Sequence, residues 1–138
     1  MYPDFENMDC NGQSGKDAIS DMDWINNNFL PTVQQRGKAV IDSRGASSAT
    51  SAAKAALDTV VACENPTAPG DCFSAAVITD GSYDLPDGII CGMPLRTLED
   101  GSIEIVKDVV LSEFAKEKIK ISTNELLEER AAVEDLLK

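Results

Sequence analysis

Apolar residues recur at three-, four- and seven-residue spacing early in the chain, at Ile25, Phe29, Val33, Val40 and Ile41. That is the spacing of one helical face. Pro31 interrupts it, since proline lacks an N–H and disfavours helix at Leu30. The pattern predicts a short helix, capped by Asp21 or Asp23, to about Phe29, then a kink and a longer helix over residues 31–43. Gly37 inside it costs roughly 1 kcal/mol against Ala, so a close packing contact is expected there. Arg44-Gly45 ends the helix with a basic last turn and a left-handed glycine. Ser47 or Ser48 then starts a second helix reaching about Cys63. Residues 47–56, SSATSAAKAA, are almost without bulk. They favour helix but offer little area to bury, so they suit close approach. Composition alone points to a tightly packed interior helix. The alternative is a subunit-interface helix with its N-terminus toward an anionic ligand.

Upstream, residues 4–8 read as a short strand and Asn11-Gly12 as a tight turn, giving a small hairpin in an otherwise irregular, polar stretch up to Ser20. Downstream, residues 64–71 (ENPTAPGD) form a loop. Residues 72–79 read as a buried strand, with turns at 80–82 and 86–88. Residues 89–95 form a second strand, 99–101 a hairpin loop and 102–107 a third strand with alternating exposure. Residues 112–138 close the chain as helix. Ser112 caps it, and a second capping box at Ser122 and Glu125 predicts a break near Ile121. Ile119, Leu126, Val133 and Leu137 make a narrow apolar stripe opposite Glu125, Glu128, Glu129, Glu134 and Asp135. The fold class is therefore α+β, long helices packed on an antiparallel sheet.

A chain of 138 residues, 43% hydrophobic and 26% charged, is one globular domain with a real core. Its 24 acidic and 12 basic residues give a net charge of −12. That argues against nucleic acid and anionic membranes as partners. It also means that any anion site needs local positive charge. There is no histidine, so no imidazole base and no metal-binding imidazole; no metal site is expected. Cys10, Cys63, Cys72 and Cys91 form no C-x-x-C pair. Without a signal peptide they read as reduced, buried thiols in a cytoplasmic protein.

The stretch FLPTVQQRGKAVIDSRGASSATSAAKAA, with YPDF before it and VITDGSYDLPDGIICGMPL and ELLEERAAVEDLL after it, resembles the C-terminal, substrate-binding domain of NAD-dependent malate dehydrogenases. The branch is the dimeric cytosolic and bacterial one of the lactate/malate dehydrogenase family. The resemblance runs the length of the chain and assigns residues 1–138 to that domain. It implies a parent enzyme that interconverts malate and oxaloacetate by hydride transfer to NAD, a step of the tricarboxylic acid cycle. The family's NAD-binding Rossmann domain, substrate arginines and catalytic Asp and His precede the segment matching YPDF. No catalytic residue is therefore expected in this chain, and Met1 reads as a boundary inside a larger coding sequence. The chain alone is expected to be inactive and to bind no NAD. A homodimer through the helices around 29–58 is implied.

The resemblance marks Ser47 as the small polar residue of the family's GASSA turn, beside the substrate, where its hydroxyl can serve a carboxylate as well as cap the helix. Ser51, one turn later, is the weaker candidate, near the nicotinamide. Arg44 reads as a helix C-terminal residue. Two departures stand out. Residues 62–67 (ACENPT) replace the family's Gly-Thr-Pro-Glu-Gly region, and Asp84 replaces a glycine; both are expected on surface loops. Two other readings stay open: a non-catalytic dimerisation module, and half of a lactate dehydrogenase of the same branch.

Overall fold

The computed structural model describes residues 4–136. They fall into two compact units, Met1–Ala56 and Leu57–Lys138.

In the first unit, Asp4 opens a turn instead of a strand. Its carboxylate accepts from the N–H groups of Glu6 and Asn7 at 3.2 and 3.3 Å, and from the Asn7 amide at 2.6 Å. A local side-chain acceptor has displaced ladder pairing. The tight turn is real: Asn11 and Gly12 have φ of 56° and 88°, and Asp9 bridges Ser14. Next comes α1 (Gly15–Ile19), which the hydrophobic pattern missed. Ser14 caps it, accepting from the Asp17 N–H.

Asp21 accepts from the Trp24 N–H at 2.8 Å and starts α2 (Met22–Trp24). The expected kink is absent. A π-turn (Ile25–Phe29) leads straight into α3 (Leu30–Arg44), and Leu30 is helical at φ −59°, ψ −50°. The Leu30 N–H donates to the Ile25 carbonyl, five residues back. This wider turn absorbs the proline's missing donor and bulk without leaving the helix. Phe5 and Ile25 are buried, and Phe5, Phe29 and Trp24 stack edge to face and tilted, with centroids 5.8 and 5.5 Å apart. The contact expected at Gly37 is not there: nothing lies within 4 Å of its missing Cβ. Gly45 has φ 74° and caps α3, as its position required.

The small-residue helix α4 (Ala49–Glu64) runs across the boundary of the units. It is not interior: residues 49–61 are all exposed. Its helical propensity holds it without burial. Its last turn is capped by side chains. Asn65 donates to the Val61 carbonyl at 2.7 Å, and Thr97 donates to the Ala62 carbonyl at 2.7 Å. The helix thus ends at Glu64, one residue past the expected Cys63, so that Ala62 and Cys63, the start of the departing stretch 62–67, lie in helix and not on a surface loop.

The second unit is built on an antiparallel meander, β1 (Phe73–Ile78), β2 (Ile90–Thr97) and β3 (Ile103–Ile105), in that order. Val77 faces Cys91, Ala75 faces Met93 and Leu95 faces Ile105. Period-two alternation turns Phe73, Ala75 and Val77 inward onto a core of Leu85, Met93 and Leu95, which Ile119 joins from α5 (Glu113–Ala132). Ser112 caps α5, accepting from the Ala115 N–H at 3.2 Å. The break near Ile121 does not occur. Ala115, Ile119, Thr123 and Leu126 form one continuous inward seam. Burial along that seam outweighs a local cap worth about 1 kcal/mol. Of the expected stripe, Val133 is exposed and Leu137 lies outside the described residues. All four cysteines are free thiols, but Cys72 is exposed and the others only half-buried. The fold is α+β, as the sequence indicated.

Candidate functional site

The turn between α3 and α4 carries the residues singled out from sequence. The Gly45 N–H donates to the Ile41 carbonyl at 2.8 Å, releasing the chain from α3. Residues 46–48 are non-helical, and α4 begins at Ala49. Ser48 therefore stands at the helix entrance, and Ser47 one residue before it, exposed. The Ser48 and Ser51 hydroxyls lie 2.8 Å apart, and the Ser51 hydroxyl also donates to the Ser48 carbonyl at 3.3 Å. This hydroxyl pair fixes the first turn of α4. The first N–H groups of a helix have no intrahelical acceptor and carry the positive end of its dipole. An exposed serine at that end, with Arg44 closing the preceding helix, can meet a carboxylate through hydroxyl and backbone donors. No imidazole base can stand beside it, because the chain has no histidine.

The second unit has its own polar constellation. Asp80 accepts from the Lys107 ammonium at 2.8 Å and from the Ser82 N–H and hydroxyl at 3.1 and 2.5 Å. The Lys107 ammonium, then the Ser82 donors, hold the Asp80 carboxyl well below its ordinary value of 3.8. Reciprocally, the hydrogen bond to Asp80 raises Lys107. A carboxyl depressed this far is a poor general base near neutral pH. The Tyr83 hydroxyl donates to the Val106 carbonyl, and burial pushes its phenol up. Arg96 and Glu104, opposite each other in the β2–β3 register, lie 3.7 Å apart. Asp80, Lys107, Arg96 and Glu104 line an open groove of about 710 Å³ beside β3. Among the described residues no cluster of Cys, Asp and Glu can hold a metal ion, and no helix is long and apolar enough to cross a membrane.

Sequence reasoning missed the Asp80–Lys107 pair, whose members are 27 residues apart and leave no local signal. It noted Asp84 as a departure without seeing its conformation. Tyr83 and Asp84 both have φ of 59°, a left-handed region that favours glycine.

The family model for the lactate/malate dehydrogenase alpha/beta C-terminal domain matches residues 1–136. Malate dehydrogenase of Magnetococcus marinus is 48% identical over 137 residues, covering 99% of this chain and 42% of that protein. The crystal structure of malate dehydrogenase from Naegleria fowleri superposes with a TM-score of 0.84 at 38% identity, covering 98% of this chain and 41% of that one. Lactate dehydrogenase of Trichomonas vaginalis, solved in complex with NADH and oxamate, gives 0.83 at 24% identity over 97% of this chain, a likeness of fold. The chain thus spans about two-fifths of the length of these relatives.

Proposed function

This chain belongs to the lactate/malate dehydrogenase family, and on that premise we propose that it is the substrate-binding half of an NAD-linked malate dehydrogenase. The observation that carries this reading is the 48% identity to a malate dehydrogenase along nearly the whole chain. The lactate reading rests on a neighbour at 24% identity, which speaks for fold and not for substrate. Residues 1–138 form the C-terminal domain of a cytoplasmic parent enzyme, and the NAD-binding domain is supplied by the rest of that parent.

Within that reading Ser47 lines the substrate pocket. Its exposed hydroxyl at the entrance to α4 donates to a substrate carboxylate, and the positive end of α4 reinforces it. Ser51 holds the first turn in place through Ser48 and stands toward the cofactor. The residues present do not make a dinucleotide site by themselves: the sequence has no Gly-x-Gly-x-x-Gly loop, and the Ser51 hydroxyl is already engaged. NAD supplies hydride chemistry to the parent enzyme, while this half orients the substrate and closes the pocket. The bare surfaces of α3 and α4 favour a homodimer through residues 29–58. They also sustain the second reading, a non-catalytic module that pairs with a full-length subunit.

The test is NADH oxidation with oxaloacetate by the purified chain, alone and refolded with the NAD-binding half of the Magnetococcus enzyme. The chain alone is expected to be silent and the reconstituted pair active. Turnover by the chain alone would overturn the division of labour. A well-folded but silent pair would favour the non-catalytic module. In the active pair, Ser47→Ala is expected to raise KM for oxaloacetate roughly 10-fold or more, the cost of one hydrogen bond to a charged group. An unchanged KM would remove Ser47 from the pocket.

A further inference from the structure

We draw no further inference here: the strongest candidate, the open groove beside β3 lined by Asp80, Arg96, Glu104 and Lys107, carries none because both of its cations already face carboxylates and nothing in the structure shows what covers it.

Discussion

Asp84 sits at φ 59° in the loop after β1, at the position where the family resemblance places a glycine. A left-handed backbone costs a residue with a Cβ about 1–2 kcal/mol, less for Asp than for most. Glycine recovers that strain but loses some through the entropy of the unfolded chain. Asp84→Gly is therefore expected to stabilise the chain by about 0.5–1 kcal/mol in urea unfolding. A destabilised variant would mean that the Asp84 side chain holds the loop. Asp80, four residues earlier, sets a pH dependence. Its carboxyl is depressed in the folded chain, so its contribution is complete above the ordinary value of 3.8 and fades as pH falls below it. Lys107 is raised from its ordinary 10.5, so its share is complete below that value and fades above it. The stability difference between wild type and Asp80→Asn should then be flat between these limits and shrink at both ends. A difference curve independent of pH would show that the ion pair contributes nothing, as many exposed pairs do.

At the scale of elements, two contacts separate what local pattern reveals from what it hides. Helix caps at Asp21 and Ser112, the glycine stop at Gly45 and the three strands were legible because each signal lies within a few residues of its effect. The tie between Thr97 and Ala62 was not, because its partners are 35 residues apart. Thr97 is 1% exposed, so Thr97→Val keeps the shape and strands the Ala62 carbonyl at the end of α4. The expected cost is about 1–3 kcal/mol in chemical denaturation; a loss under 0.5 kcal/mol, a small fraction of that range, would mean that water replaces the hydroxyl. Gly15 was equally hidden. A Cβ there would meet the Met8 sulfur at 2.9 Å and the Phe5 carbonyl oxygen at 3.1 Å. Gly15→Ala is expected to cost about 1–3 kcal/mol through overpacking, despite alanine's better helix propensity. A stabilised variant would show that propensity wins and that the N-terminal turn yields.

For the molecule as a whole, two of the errors made from sequence share one direction. Gly37 was expected to be in close contact and α4 to be interior, yet both lie bare. Small residues signal close approach but do not say to what, and the partner need not belong to the same segment of chain. The same holds for the candidate site: the local sequence offered Ser47 only as a helix-starting serine, the family resemblance singled it out, and its role depends on what faces it. Large apolar side chains make the same point energetically. Leu57, Val60 and Val61 are 66%, 58% and 59% exposed on one stretch of α4. Burying such a side chain releases about 1.5–3 kcal/mol, and adjacent exposed residues of this kind mark association surfaces. The chain is therefore expected to self-associate, with a mass that rises with concentration in sedimentation equilibrium. Leu57→Glu with Val60→Glu should shift it toward monomer while circular dichroism keeps its helical signal, because neither side chain is buried within the chain. A wild type that stays monomeric at high concentration would count against the dimer through residues 29–58. A double variant that associates as strongly as wild type would move the contact away from α4.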